Sequence, residues 1–302
     1  HHQAARYHGV ITVMSVYILH VLIMVSIFAM LALSLNISVG FAGLVSLGHA
    51  AFFGIGAYAS GLIMIKELGS FPAAFLSAGL ITAILGLALA LPALRVKDDY
   101  LAIVTLGFGI IVGIILMNLE VTGGPDGLVG IPPVTLWGKP LYSKAGFLIL
   151  CALILGIMIG SMYTLKYSKI GRAWAAIRDN DVTASFMGID IYGYKTMAIV
   201  VSAFWAGLAG SLYAHYTAYI NPHTFGMHTS IMILSMVVLG GIGSIPGSLL
   251  GAALLTILPE VLRPLADYQD IFYGGLLVAM MVFRPQGIMG RVKITEIFGR
   301  SR

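Results

Sequence analysis

The feature that most constrains this chain is a series of long apolar runs, with Asp, Glu, Lys and Arg confined to their ends or to the segments between them. The runs cover residues 10–35, 50–65, 73–94, 101–117, 145–165, 196–216, 230–241, 247–262 and 271–283. A helix that spans a bilayer needs ~20 mostly apolar residues, and the last three runs are shorter than the others. The pattern predicts an all-α, polytopic transmembrane bundle of about eight to ten spans, built as a single domain over residues 1–302, with residues 1–9 left unassigned.

Composition excludes the main soluble classes. Apolar residues make up 59% of the chain and charged residues 10%, whereas a soluble domain carries roughly 25% charged residues. That excludes a disordered chain, a soluble enzyme and a nucleic-acid-binding domain. The single cysteine, Cys151, excludes an intrachain disulfide and a thiolate metal site.

The basic residues predict which loops are cytoplasmic. The segments 95–100, 166–195 and 284–302 alternate to one side of the membrane and hold 12 of the 17 Lys and Arg residues. Loops on the other side hold four. The positive-inside bias therefore predicts a cytoplasmic loop at 166–195, a cytoplasmic C-terminus and an external loop at 118–144. The side of the N-terminus depends on whether residues 36–49 cross the membrane, which the pattern leaves open.

The glycine-rich stretch 36–60 is the first candidate site. Irregular backbone at membrane depth is tolerated where protein buries it or where it lines a cavity, and there it can hydrogen-bond a polar substrate. The stretch predicts a broken or re-entrant segment. Close helix packing is the open alternative. The candidate substrate-path residues are Asn36, Gly40, Gly43, Ser46, His49 and Tyr58.

The cytoplasmic loop is the second candidate site. Its pattern predicts a short helix opened by Gly171 and running from Arg172 to Arg178, then a second helix capped within residues 179–181 and ended by Gly188. Such helices can lie at the lipid interface or dock into a partner's groove, and the pattern leaves both open. The candidate coupling residues are Gly171, Arg172, Ala173, Trp174, Ile177, Arg178, Asp179 and Asn180.

The segments predicted to be external give weaker indications of a binding site. In the loop at 118–144, Glu120, Asp126, Lys139 and Lys144 are candidates to contact a substrate-binding protein, with a plain solvated loop as the alternative. The spacing of the three histidines between residues 215 and 228 matches no standard metal site, so no metal is expected.

The order of several strings resembles one family. The strings are SLNISVGFAGLVSLGHAAFFGIGAYAS (34–60), TGGPDGLVGIP (122–132), GRAWAAIRDND (171–181), SMVVLGGIGSIPGSLLGA (235–252) and FRPQGIMG (283–290). Together they resemble permeases of branched-chain amino acid ABC importers, of the M type (the LivM family). Val45 and Ser60 depart from residues that are common in that family.

The resemblance implies a non-catalytic subunit of the bacterial inner membrane that imports leucine, isoleucine and valine. Its implied partners are a second, H-type permease, two cytoplasmic ATP-binding subunits and a periplasmic or lipid-anchored substrate-binding protein. No cofactor is expected on this chain, and ATP and Mg²⁺ would bind to the ATPase subunits. In agreement, the sequence has no G-x-x-x-x-G-K-[ST] phosphate-binding loop.

Two other functions stay open. Related permeases import urea, amides or aromatic acids by the same machinery. An ion-coupled secondary transporter is more distant, because that class keeps ionisable groups within its spans, and His20 and His49 are the candidates of that kind here.

Overall fold

The computed structural model describes residues 2–96, 98–136, 139–261, 274, 275, 278 and 287–289, with side chains from residue 16 onward. Helices dominate this part of the chain. They are α1 (His2–Asn36), α2 (His49–Ile65), α3 (Phe71–Ala93), α4 (Asp98–Asn118), α5 (Lys144–Tyr167), α6 (Lys169–Asp179), α7 (Asp181–Phe186), α8 (Ile191–Thr217), α9 (Met227–Gly240) and α10 (Ile245–Val261).

The helices confirm the polytopic bundle. Each of the first eight apolar runs falls on a helix, and five helical segments in the described part are long and apolar enough to span a membrane. These are Val16–Phe41, Phe71–Ala93, Tyr100–Asn118, Lys144–Tyr167 and Ile191–Thr217. The apolar helices α2, α9 and α10 are shorter. The ninth predicted span, 271–283, lies almost wholly outside the described residues.

Contacts between helix ends define two ends of the bundle. At one end, His20 Nδ1 and the Tyr216 hydroxyl lie 2.6 Å apart, and the Tyr17 hydroxyl donates to Glu260 at 2.7 Å. We call this the loop end. At the other end, which we call the junction end, the last residues of α1 meet the α9–α10 turn and α6. Helix α1 therefore starts near the loop end, and α10 returns to it.

Helix α8 is the central element and packs mainly against α2 and α3. Short polar side chains join the buried helices. The Ser202 hydroxyl of α8 donates to the Ser34 carbonyl of α1 at 2.7 Å, and Ser211 donates to Ser60 of α2 at 2.7 Å. Such bonds satisfy polar groups that water cannot reach, and they fix how neighbouring helices are rotated.

The glycine-rich segment after α1 is broken, as predicted, but it does not cross the membrane. One π-helical turn, Ile37–Phe41, extends α1, and residues 42–48 then lead into α2 without regular structure. Seven residues reach ~25 Å at full extension, which is less than the ~30 Å hydrocarbon core. The segment therefore joins α1 to α2 at the junction end.

The predicted external loop has an ordered scaffold. Two 3₁₀ turns, Glu120–Thr122 and Gly124–Asp126, precede strand β1 (Leu128–Val129), which pairs antiparallel with β4 (Tyr219–Ile220) just after α8. Strands β2 (Thr135–Leu136) and β3 (Lys139–Pro140) form a second antiparallel pair. The β1–β4 pair ties the loop to the end of α8.

Candidate coupling junction and substrate path

Helix α6 begins earlier than predicted. Ser168 caps it by accepting hydrogen bonds from the Ile170 and Gly171 N–H groups, so the first helical residue is Lys169. Gly171 is buried within the first turn instead of opening the helix. A Cβ atom there would lie 2.3 Å from the Lys166 carbonyl oxygen, so glycine allows α6 to turn tightly against the end of α5.

The apolar edge predicted for α6 faces the protein. Trp174 and Ile177 are 0% and 1% exposed, and Ala173 is also buried. The Trp174 indole N–H donates to the Tyr194 carbonyl of α8 at 2.8 Å. This hydrogen bond and the burial of both large side chains hold α6 against the transmembrane bundle.

Arg178 links α6 to the broken end of α1. Its guanidinium donates to the Gly40 carbonyl, in the π-turn, at 2.6 Å. Its aliphatic stem lies against Gly43, where a Cβ would be 3.0 Å from Arg178 Cγ. Arg178 also lies 3.8 Å from the exposed Asp179, and an ion pair in water contributes little. The contact with the π-turn is therefore the structural role of Arg178.

Asn36 joins the same π-turn to the α9–α10 turn. Its amide oxygen accepts from the Gly243 N–H at 2.8 Å, and its amide nitrogen donates to the Ser244 carbonyl at 3.2 Å. A Cβ on Gly40 would lie 2.5 Å from the Gly243 nitrogen, so the two backbones touch. We call Asn36, Gly40, Arg178, Gly243 and Ser244 the junction.

The predicted second helix of this loop, α7, is confirmed. Asn180 caps it by accepting from the Thr183 N–H at 2.9 Å, and Gly188 follows its end with φ +78°. One charge expected outside the spans lies within one: Lys195 is in the second turn of α8 and is 6% exposed. It is tolerated there because its ammonium pairs with Asp181 of α7 at 2.5 Å.

The outer face of α7 carries exposed apolar side chains that the sequence pattern did not single out. Val182, Phe186 and Met187 are 64%, 87% and 80% exposed. We call these three residues the apolar knob. Val182 and Phe186 are four positions apart, and Met187 follows directly, in an otherwise polar loop. That spacing is the signal that could have identified them. The exposed residues Arg172, Asp179 and Asn180 lie on the outside of the same pair of helices.

The predicted path residues separate into three places. Asn36, Gly40 and Gly43 belong to, or border, the packed junction. Ser46 and His49 line a cavity of about 20 Å³. Tyr58 is 2% exposed and packs edge-on against Phe225, with no hydrogen-bond partner for its hydroxyl among the described residues. Their contact with a substrate stays a prediction.

The histidines have structural partners. His49 Nε2 lies 2.7 Å from the Ser34 hydroxyl, and His215 contacts Ser60 at 2.9 Å and the Pro132 carbonyl at 2.7 Å. The described residues contain no group of three or more His, Cys, Asp or Glu side chains that could hold a metal ion. The His215–Pro132 bond also anchors the loop after β1 to α8.

Comparison with known proteins identifies the family. The family described as "Branched-chain amino acid transport system / permease component" matches residues 17–281. The chain belongs to this permease family. The match runs from the middle of α1 through α10 and covers both candidate sites.

Individual relatives agree with this result. The high-affinity branched-chain amino acid transport system permease protein LivM of Salmonella typhimurium is 37% identical over 290 residues, covering 88% of this chain and 68% of the relative. LivM of Escherichia coli K12 is 37% identical over 287 residues, covering 87% and 68%. The high-affinity branched-chain amino acid transport system permease protein BraD of Pseudomonas aeruginosa is 26% identical over 291 residues, covering 90% of this chain and 94% of the relative. No solved structure matches.

Proposed function

We propose that this permease is one of two homologous membrane subunits of an ATP-driven importer of branched-chain amino acids. The family and the names of the relatives support the transport role and the cargo. Similarity to permeases named LivM at 37% and LivH at 26% supports a system in which an M-type chain pairs with an H-type chain. This chain is the M-type partner.

The observation that carries the proposal is the two-sided structure of α6 and α7. Trp174 and Ile177 are buried against the bundle, whereas the apolar knob at residues 182, 186 and 187 faces outward. Exposed apolar groups clustered on a polar loop mark a binding surface. The knob docks into a cleft on an ATP-binding subunit, and the buried edge transmits the motion of that subunit inward.

The junction is the route of transmission. Arg178 contacts the π-turn of α1, and Asn36 fixes that turn to the α9–α10 turn. A shift of α6 therefore moves the end of α1 and the adjoining ends of α9 and α10 together. ATP and Mg²⁺ bind to two partner ATPase subunits, and this chain supplies no catalytic residue.

The orientation follows from the charges and the two ends of the bundle. The junction end carries α6 and is cytoplasmic by the positive-inside bias. The Ile288 N–H donates to the Leu239 carbonyl at 2.9 Å, so residues 287–289 also lie at this end, which supports a cytoplasmic C-terminus. Since residues 42–48 do not cross, α1 starts outside. The membrane is the bacterial inner membrane.

The loop end receives the substrate from a periplasmic or lipid-anchored binding protein. The exposed Glu120, Asp126 and Lys144 lie in or beside the ordered external loop. Pairing of β1 with β4 and the His215–Pro132 bond hold this loop on α8. A fixed, charged surface suits a soluble protein that must dock in one orientation.

Phe186→Asp tests the docking surface in the complete complex reconstituted in proteoliposomes. We expect loss of substrate-stimulated ATP hydrolysis and of leucine uptake, because a carboxylate in an apolar cleft is unpaired and desolvated. Ser185→Asp is the matched control, since it adds the same charge to the neighbouring exposed residue. Equal, wild-type coupling in both variants would contradict the proposal.

A further inference from the structure

A cavity of about 230 Å³ lies between α4, the 3₁₀ turn Pro222–Phe225 and α9. Along α4 it extends from Leu106 to Met117, which is ~16 Å at the rise of an α-helix. It therefore begins near the loop end of α4 and reaches about half-way through a hydrocarbon core of ~30 Å. It contains none of the path residues predicted from the sequence.

The wall along α4 is apolar. Leu106, Ile110, Ile114 and Met117 line it, and Phe225 lies opposite. The cavity is not enclosed: Ile110 and Ile114 are 53% and 55% exposed, so a ligand of the size of a branched-chain amino acid can enter it from outside. Apolar lining over most of the surface, with a few polar groups at one side, is typical of a small-molecule site.

The polar side is the start of α9. Gly226 precedes the helix and has no side chain to cap the first N–H groups. Ser230, in the first turn, lines the cavity and is 2% exposed. Its hydroxyl accepts from the Ala50 N–H at 3.0 Å, and within the described part of the chain no acceptor takes its proton. A buried donor beside the positive end of a helix favours a carboxylate.

We propose that this cavity, which we call the outer chamber, binds the transported amino acid, with the aliphatic side chain against α4 and the carboxylate at Ser230 and the start of α9. The inference rests on the proposed function for the cargo. It adds a binding site within this one subunit on the external side of the broken segment.

The broken segment forms the floor of the outer chamber. Leu47 and Leu106 line the chamber, whereas the adjacent Ser46 and Thr105 line the smaller cavity beyond it. The Leu47 N–H donates to Thr105 Oγ1 at 3.0 Å, which holds the floor closed. Substrate in the chamber is therefore separated from the small cavity that Ser46 and His49 share.

Cysteine protection tests the chamber in the complete reconstituted complex. Gly113 lines the chamber, and a Cβ there meets no atom within 4 Å, so Gly113→Cys fits without displacing a neighbour. Gly107→Cys is the matched control: it lies on the same helix in equally open space but does not line the chamber. The native Cys151 is buried and gives little background.

We expect L-leucine to slow alkylation of Gly113→Cys about tenfold when its concentration is ten times its Kd, and to leave Gly107→Cys unchanged. L-glutamate should not protect, because its second carboxylate would lie against the apolar wall. Met117→Cys, also in the chamber, is the second variant if Gly113→Cys does not assemble.

Two results would overturn the outer chamber: no alkylation of either chamber cysteine, or alkylation that no apolar amino acid slows. Leucine uptake by the wild-type complex is measured in parallel. Wild-type uptake without protection contradicts the chamber alone, whereas absent leucine uptake contradicts the proposed cargo.

Discussion

At the scale of single residues, the junction depends on one amide. Asn36 is 0% exposed and satisfies both the Gly243 N–H and the Ser244 carbonyl. Gly243 and Ser244 are themselves partly buried. The glycine at position 40 is part of the same arrangement, since any side chain would occupy the space of the Asn36 amide.

Leucine has a side chain of similar volume to asparagine but forms no hydrogen bond. Replacing Asn36 with leucine therefore leaves both backbone groups without their partner. We expect a loss of about 1–3 kcal/mol for each group, measured as a lower Tm of the purified complex. Asn118→Leu is the control, because Asn118 is exposed and bonds only to its own helix at Ile114. The free energy of unfolding of the Asn118→Leu complex should change by less than about 0.5 kcal/mol. Equal Tm values for the two variants would show that the amide does not hold the junction.

The sequence singled out Asn36 and Arg178 but not their partners. Asn36 was expected to face a substrate path and Arg178 to couple to an ATPase. In the structure Arg178 bonds to the π-turn, and Asn36, at the start of that turn, bonds to the α9–α10 turn. Because Gly243 lies 207 positions from Asn36, no local pattern could have predicted that contact.

At the scale of elements, the position of α6 is set by its first turn. Ser168 stops α5 and starts α6 by capping two N–H groups, and Gly171 lets the new helix pass the Leu165 and Lys166 carbonyls. The angle between α5 and α6 determines whether Arg178 reaches the π-turn.

Gly171→Ala tests this geometry. A methyl group at 2.3 Å from the Lys166 carbonyl oxygen forces the helices apart, so we expect ATP hydrolysis that no longer drives uptake, with the complex still assembled in the membrane. Gly160→Ala on α5 is the control, because a Cβ there meets nothing within 4 Å. Coupled transport at the wild-type level in Gly171→Ala would show that the close approach is dispensable.

Element boundaries show what a sequence pattern can predict. The apolar runs located eight helices, and Asn180 and Gly188 correctly marked the limits of α7. The start of α6 was predicted too late because glycine usually interrupts a helix. Gly171 instead lies inside α6, where it allows the close approach of α6 to the end of α5. The π-turn was missed because it depends on the tertiary contacts of Asn36 and Arg178.

At the scale of the whole molecule, the bundle carries a candidate functional site at each of its two ends. The loop end carries the ordered external loop and the opening of the outer chamber, and the junction end carries α6 and α7. The broken segment at 42–48, at the junction end, contacts both the chamber and α6: Leu47 forms the floor of the chamber, and Gly43 lies against Arg178. Movement of α6 can therefore be transmitted to the chamber floor.

The sequence predicted the fold class because the length of an apolar run is a local property. It could not predict the outer chamber, since Leu106 and Ser230 belong to separate helices and meet only after packing.

The central claim is that ATP hydrolysis on partner subunits drives import through this permease. The most direct measurement is leucine accumulation in proteoliposomes that contain both permeases and both ATPase subunits, supplied with the binding protein. We expect accumulation that requires ATP and Mg²⁺, persists when ionophores remove all ion gradients, and is lost in Phe186→Asp. Accumulation driven by an ion gradient without ATP would contradict it.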